Sequence, residues 1–240
     1  LQMDFAAGVS HELRTPLAII CSAADNLAEG VVTSGPQVKY YGALIRNEGG
    51  RLSSMVDQIL AFVAQESGRV RYDLQPLEIE GFIDQVLAES RTVIESSGLN
   101  LEKHIPPELP LVRADAVALA QCVQNLISNA VKYGADGGWI GVRAESRDTA
   151  NGEEIQLTVA DHGPGIAPPD LPHIFEPFYR GQIAAAIQAR GTGIGLSLAK
   201  DIAEAMGGSL TVWSEPGKGS AFTLHIPAMD KGEQVLVEPA

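Results

Sequence analysis

The sequence predicts an α+β protein in which a helical hairpin, completed to a four-helix bundle by a second copy, precedes an α/β sandwich domain. Two observations lead to that class. Over the first 65 positions apolar residues recur at three- and four-residue steps, the period of a helix. Beyond residue 74, helical stretches are interleaved with segments that alternate apolar and polar residues, the period of a strand. Runs of helices and antiparallel strands mixed in this way point to helices layered on a sheet.

In the first region Phe5, Val9, Leu13, Leu17, Ile20, Ala24 and Leu27 make one stripe, and Tyr41, Ile45, Leu52, Val56, Ile59 and Val63 make another. Glu29–Pro36, with two glycines and a proline, supplies the turn between them. Both stripes are narrow and nearly heptad, the pattern of helices seeking bundle partners. Two helices bury too little apolar surface alone, so a homodimer through residues 1–65 is expected. Gly49 and Gly50 each weaken the second helix by about 1 kcal/mol relative to alanine. No N-cap precedes Leu1, so the sequence reads as a fragment of a longer protein.

Glu66–Asp73 is polar and aperiodic and is expected to be a linker, with the second domain over 74–228 and a frayed tail over 229–240. Ile79–Ser96 reads as a helix stopped at Gly98. Leu99–Ile105 and Leu111–Ala114 read as strands around a proline-rich turn, and Asp115 as the cap of a helix over Ala116–Tyr133. Trp139–Ala144 and Ile155–Ala160 form a hairpin joined by a turn containing Asn151-Gly152. Ser197–Met206 is a helix ending at Gly207-Gly208, and Leu210–Trp213 and Ala221–Ile226 flank a turn over Glu215–Gly219.

Charge narrows the function. Seventeen Lys and Arg against thirty Asp and Glu leave −13, the wrong sign for a surface that binds nucleic acid. No apolar run approaches the roughly 18–20 residues of a membrane span, and no signal peptide opens the chain. Cys21 and Cys122 lie a hundred residues apart with no metal-ligand spacing and read as reduced thiols of a cytosolic protein.

Four places carry chemistry. In Ser10-His11-Glu12-Leu13-Arg14-Thr15-Pro16, His11 lies about 200° around the helix from Val9 and Leu13, away from the seam. An imidazole in water is about half or more neutral at pH 7 and offers one nucleophilic nitrogen. Glu12 is placed to hold the proton of the other nitrogen, Thr15 shares the face one turn on, and Pro16 is expected to kink the helix. A plain surface histidine beside a proline is the competing reading. On the helix capped by Asp115, Gln121, Asn125 and Asn129 recur at four-residue steps, with Lys132 three further on. Asparagine is a poor helix former, so two on one face suggest hard amide ligands for Mg²⁺ arriving with phosphates; a solvated polar face is the alternative. The strand Ile155–Ala160 runs into Asp161-His162-Gly163-Pro164-Gly165, where a carboxylate and close backbone suit the amine of a base, although the pattern also occurs in simple turns. Last, Gly191-Thr192-Gly193-Ile194-Gly195-Leu196 opens a helix and presents N–H groups to an anion. A dinucleotide fingerprint needs a different glycine spacing after a strand, and Ile183–Arg190 is not strand-like. Gly181–Arg190 is small and polar enough for a mobile lid.

In order and spacing these elements resemble the H, N, G1 and G2 boxes of the sensor histidine kinases of two-component signalling. Ile174-Phe175-Glu176-Pro177-Phe178-Tyr179-Arg180 is similar to that family's F box, so the resemblance spans residues 1–227. It implies a dimerisation and phosphotransfer hairpin followed by a Bergerat-type ATP-binding domain, with ATP and Mg²⁺ as cofactors. It further implies autophosphorylation of His11, Glu12 acting as base or orienter, and transfer to an aspartate of a response-regulator receiver domain. Thr15 would position water for phosphatase activity toward that regulator. Asn129 would ligate Mg²⁺, Asn125 and Lys132 would lie near the phosphates, and Tyr133 against the adenine. Asp161 would bind the adenine amine, with Gly163 and Gly165 shaping its pocket. Arg180 would reach the γ-phosphate, and Gly191, Thr192, Gly193, Gly195 and Leu196 would line the triphosphate. His162 departs from the pattern, standing where asparagine is frequent, and its side chain is expected to point away from the base. The resemblance also implies a cytoplasmic fragment whose parent is anchored in the inner membrane by segments outside it. Two other readings remain at this point: a dimeric scaffold that binds nucleotide without chemistry, and an ATPase like the gyrase or heat-shock chaperone relatives, which lack the H box.

Overall fold

The computed structural model describes residues 2–68, 70–150, 152–181 and 192–230, with the side chains of 2–12 and of Glu66 outside the description. The expected tail beyond residue 230, the lid residues 182–190 and Gly191 therefore lie outside the described residues. Two compact units result, Leu1–Arg69 with Arg190–Ile194 and Val70–Ala189 with Gly195–Ala240, and each is taken by itself.

The first unit is an antiparallel pair of helices, α1 (Gln2–Ala28) and α2 (Gly35–Glu66). α1 continues through Pro16 without a break. Pro36 opens the first turn of α2, where a missing N–H costs nothing because the first amides have no partner within the helix. Gly49 and Gly50 lie inside α2 without interrupting it. The packing corrects the expected stripe. Ala23, Met55 and Phe62 are 2%, 4% and 9% exposed, whereas Leu17, Val56 and Val63 keep 51%, 41% and 48% of their surface. The inward residues Pro16, Ala23, Met55 and Phe62 are each one position before Leu17, Ala24, Val56 and Val63, about 100° round the helix. The apolar face is thus two heptad seams wide. One seam closes the hairpin and the other, continued by Leu60, stays uncovered.

The second unit is a helix layer on a sheet. Strands β2 (Asn100–His104), β4 (Trp139–Thr149), β5 (Gly152–Asp161), β6 (Ser209–Glu215) and β7 (Gly219–Pro227) lie in the order β2-β4-β5-β7-β6. β2 runs parallel to β4 and the other neighbours are antiparallel. Helices α3 (Ile79–Ser96), α4 (Ala116–Gly134) and α5 (Gly195–Ala205) pack together and on that sheet. A separate two-stranded ladder joins β1 (Gln75–Leu77) to β3 (Val112–Ala114); the sequence pattern does not announce β1. The β4–β5 hairpin is longer than the sequence suggests, its ladder running on to Thr149 opposite Gly152.

Alternation sets the core. Ile155, Leu157 and Val159 of β5 are almost wholly buried, as are Ile140, Val142 and Ala144 of β4 and Leu224 and Ile226 of β7. Register aligns them in rows, Val142 with Val159 with Phe222 and Ala144 with Leu157 with Leu224. Burying each such large side chain is worth about 1.5–3 kcal/mol, so the rows fix the register of β5 against both neighbours. The helices meet these rows with Leu119, Val123, Leu126 and Ile127 of α4 and Leu198 and Ile202 of α5, all at most 2% exposed. Between α4 and α5 the Cys122 thiol donates to the Ala199 carbonyl (3.4 Å), and burial pushes its pKa up to about 12. It is a packed, protonated thiol. The chain stays docked past β7: Met229 is buried and its N–H donates to the Leu111 carbonyl (2.7 Å), which corrects the expectation that residue 229 opens the tail. Among the described residues no helix is long and apolar enough to cross a membrane.

α4 starts where Asp115 stops the preceding strand. Its Oδ1 accepts the amides of Val117 (3.0 Å) and Ala118 (3.1 Å), and Oδ2 accepts that of Asp73 (3.0 Å). Desolvation pushes the Asp115 pKa up, but those three amides together hold it below the ordinary carboxylate value. An acid whose folded pKa is depressed adds stability above its unfolded pKa and loses it as pH falls through the folded one. Replacing Asp115 by alanine should cost about 1 kcal/mol at pH 7 in urea unfolding, as loss of an N-cap does. The gap between parent and Asp115→Ala should close as pH drops below about 4, near the ordinary aspartate pKa; a gap that stays constant down to pH 2 contradicts this.

Candidate functional site

The alternation that buries Ile155, Leu157 and Val159 carries one step further to Asp161, the last residue of β5, and delivers a carboxylate to the inward side. Asp161 is 7% exposed. It faces the C-terminal end of α4 so closely that a Cβ built on Gly134 would lie 2.8 Å from the Asp161 Cβ. Glycine at the last position of α4 is what this close approach requires. The Gly163 amide donates to Asp161 Oδ1 (2.7 Å), and the Ser220 amide also bonds the carboxylate. Burial pushes the Asp161 pKa above its ordinary value, against the downward pull of those amides and of His162. A carboxylate held by backbone on one side, in a desolvated place, is a strong acceptor for a neutral N–H donor such as an exocyclic amine.

The turn after Asp161 is built by glycines. A Cβ on Gly163 would come 2.5 Å from the Tyr133 carbonyl oxygen and 2.7 Å from Asp161 Oδ1. Gly165 has φ +72° and its backbone lies against the Glu215 carbonyl. His162 is exposed and stacks on Trp139, ring centroids 4.3 Å apart and planes 20° apart. The Trp139 indole N–H donates to Glu102 Oε2 (3.0 Å), which ties this stack to β2.

On α4 the amide stripe is half-buried rather than freely solvated. Gln121, Asn125, Asn129 and Lys132 are all partly covered, on the side away from Val123, Ile127 and Ala130, and Tyr133, partly covered too, follows Leu126 by two turns. The Asn125 side-chain N–H donates to the Gly195 carbonyl (3.3 Å), so α4 grips the first residue of α5. The first amides of α5, at Gly195 and Leu196, have no partner within their own helix and suit an anion. The Lys132 ammonium lies 4.6 Å from the Tyr133 ring centroid. Burial pushes the Tyr133 phenol pKa up, against the downward pull of the Arg180 charge. The structure thus gathers Asn125 with Gly195, and Tyr133, Asp161 and Gly163 around the last turn of α4.

Other expected residues belong to the first unit. His11 and Glu12 fall on α1, with their side chains outside the description, and Thr15 is exposed one turn further. Gly193 has φ +71°, and the Ile194 amide donates to Thr192 Oγ1 (3.3 Å). One residue escapes the sequence reading altogether. Asp170 is a carboxylate only 3% exposed, bonded by the Tyr179 hydroxyl (2.8 Å). An acid amid Ile166, Leu171 and Ile174 is the signal the sequence offers for it.

Known proteins match this arrangement. The family described as His Kinase A (phospho-acceptor) domain matches residues 1–68, and the Histidine kinase-, DNA gyrase B-, and HSP90-like ATPase family matches residues 114–230. The sensor-like histidine kinase SenX3 of Mycobacterium tuberculosis is 29% identical over 229 residues, covering 94% of this chain and 54% of that protein. The chain therefore spans about half the length of this curated relative. Full-length ShkA in complex with AMPPNP is 30% identical with a TM-score of 0.67, over 95% of this chain and 46% of that one. Histidine kinase ThkA, in complex with response regulator protein TrrA, has a TM-score of 0.70 over 94% of this chain and 61% of that one; at 23% identity it is a likeness of fold.

The tightness at Gly163 is open to test. Gly163→Ala places a methyl group against the Tyr133 carbonyl and the carboxylate at once. It should lower stability by about 1–3 kcal/mol, the usual cost of overpacking. An unchanged urea midpoint would show that the turn has room.

Proposed function

Because the chain belongs to the sensor histidine kinases of two-component signalling, we propose that it binds ATP at the α4–Asp161 site, transfers the γ-phosphoryl group to His11 and passes it to an aspartate of a response regulator. The observation that carries this is the buried Asp161 carboxylate at the end of β5, braced by the Gly163 amide and abutting α4. A carboxylate so placed accepts from the adenine amine, and Gly163 and Gly165 let the turn after Asp161 fold tightly against the Tyr133 and Glu215 carbonyls, which shapes the place we assign to the ring. The amides at Gly195 and Leu196, with Thr192 and Gly193 before them, are the groups we assign to the triphosphate, and Gly191 with them. Lys132 and Arg180 supply positive charge, and Asn125 holds the start of α5.

Mg²⁺ is the metal this site would take. The Asn129 amide fits it: a hard, neutral oxygen donor on a half-covered stretch of α4, one turn after Asn125. When bound, Mg²⁺ neutralises phosphate charge and so lowers the barrier to attack. The chain's own residues then do the rest. A neutral nitrogen of His11 attacks the γ-phosphorus in line; the P–N bond forms as the bond to the β-phosphate oxygen breaks and ADP leaves. Glu12 takes or orients the proton on the other imidazole nitrogen. The phosphoramidate is reactive enough for the regulator's carboxylate to displace His11, breaking P–N and forming an acyl phosphate. His11 and the ATP site belong to different units, so catalysis must be gated by freedom in the short segment between the end of α2 at Glu66 and Asp73, whose amide Asp115 holds.

The second seam of the hairpin supports a homodimer. Leu17, Val56, Leu60 and Val63 stay exposed on an otherwise apolar face, and a second hairpin covering them would complete four helices. We assign this catalytic core to the cytoplasm, with any membrane anchor of the parent protein outside residues 1–240.

Incubation with γ-labelled ATP and Mg²⁺ should give acid-labile, alkali-stable label on the parent chain and none on His11→Gln. Label surviving in that variant overturns the assignment. For phosphatase activity, Thr15→Ala should autophosphorylate like the parent while dephosphorylating the phosphorylated regulator at least about tenfold more slowly, the order of one positioning contact. Equal rates would remove Thr15 from that role.

A further inference from the structure

The segment 167–181 joins the Asp161 turn to the glycine-rich region, and it has no strand or long helix to hold it. It is wound instead by successive turns. The amides of Asp170, His173, Glu176 and Tyr179 donate to the carbonyls three residues earlier, Ala167, Asp170, His173 and Glu176. At the end of this series Phe178 takes φ +67°, a left-handed conformation that costs a bulky residue about 1 kcal/mol or more and persists only when its surroundings impose it. The next three residues are Tyr179, Arg180 and Gly181.

Asp170 grips both sides of Arg180. The Tyr179 hydroxyl donates to Asp170 Oδ1 (2.8 Å). On the other side of Arg180, a Cβ built on Gly181 would lie 2.6 Å from Asp170 Oδ2, so the Gly181 backbone rests on the second carboxylate oxygen. The residues flanking Arg180 therefore both meet one carboxylate that is 3% exposed, Tyr179 through its hydroxyl and Gly181 through close packing, while Arg180 itself is exposed. His173 braces the same ring: it lies 5.3 Å from Tyr179, centroid to centroid, and its Nδ1 is 2.8 Å from Glu176 Oε1. The geometry points to Asp170 as the positioning residue of Arg180: by clamping Tyr179 and Gly181 it aims the guanidinium at the γ-phosphate of ATP bound beside Tyr133. Asp170 itself touches no substrate. The influence of the Arg180 charge on the Tyr133 phenol agrees with that aim.

This rests on the assignment of the α4–Asp161 site to ATP. If the clamp acts through Arg180, its loss must weaken the triphosphate and spare the diphosphate, because ADP lacks the group Arg180 would meet. The test is calorimetric titration of the parent chain, Asp170→Ala, Tyr179→Phe, Arg180→Ala and the Asp170→Ala/Arg180→Ala double variant with ATP and with ADP, both with Mg²⁺. Arg180→Ala and Asp170→Ala should each lose about tenfold in ATP affinity, the scale of one charge-assisted hydrogen bond, and stay within about twofold for ADP. The double variant should bind ATP no more weakly than Arg180→Ala alone, since the two residues act through one contact. Tyr179→Phe removes a single hydroxyl, folds if Asp170→Ala does not, and should show the same selective loss in smaller measure. Equal weakening of ATP and ADP, additive losses in the double variant, or ATP binding unchanged in Tyr179→Phe and Asp170→Ala would each overturn the clamp. A parent chain that binds neither nucleotide would instead overturn the ATP site itself.

Discussion

The carboxylate of Asp161 ends a strand whose inward residues, Ile155, Leu157 and Val159, are almost wholly buried between β4 and β7. Burying a carboxylate is expensive unless its oxygens are bonded, and here backbone amides meet that need, chief among them Gly163 at 2.7 Å. Much else depends on this constraint. Gly134 must be glycine for α4 to come so close, Gly163 must be glycine for the turn to fold back under the Tyr133 carbonyl, and Gly219 has φ +100° with its Cβ direction blocked by the Asp161 carbonyl. The strand register delivers the acid, and the glycines let helix, turn and neighbouring strand close round it. Burial pushes the Asp161 pKa above its ordinary value, against the pull of the amides that bond it.

Helix α4 is the second half of the device. Its inward face carries Leu119, Val123, Leu126 and Ile127, and the other side carries Asn125, Asn129 and Lys132, half-covered rather than immersed. One helix thus anchors the sheet with its apolar side and offers amides and charge with its polar side. Asp115 fixes where that helix begins, and so fixes the positions of Asn125 and Asn129 along it. The hairpin unit obeys a different logic. Its apolar surface is two seams wide, and a single pair of helices satisfies only one of them.

Much of this is legible in the sequence because it depends on local rules. The Asp115 cap, the alternation of Ile155–Ala160 and the glycines after Asp161 are short-range signals whose mechanism is steric or a single hydrogen bond. The features that escape a sequence reading depend on distant partners. β1, three residues containing Pro76, exists only because β3 pairs with it across some 35 residues of chain. The parallel pairing of β2 with β4 has no local signature either. In the hairpin, Met55 and Val56, or Phe62 and Val63, are equally apolar neighbours, so periodicity cannot say which heptad turns inward. Asp170 escapes because a buried acid looks in sequence like any other loop carboxylate; only the Tyr179 hydroxyl and the Gly181 backbone give it meaning.

The central claim is that the Asp161 carboxylate receives the base of ATP. Calorimetric titration of Asp161→Asn with Mg-ATP addresses it directly, alongside the parent chain and with circular dichroism to verify the fold. An amide in that place keeps the volume but loses the charge and one acceptor, so affinity should fall by at least about tenfold while the fold persists. A folded Asp161→Asn chain that binds ATP as tightly as the parent would contradict the account.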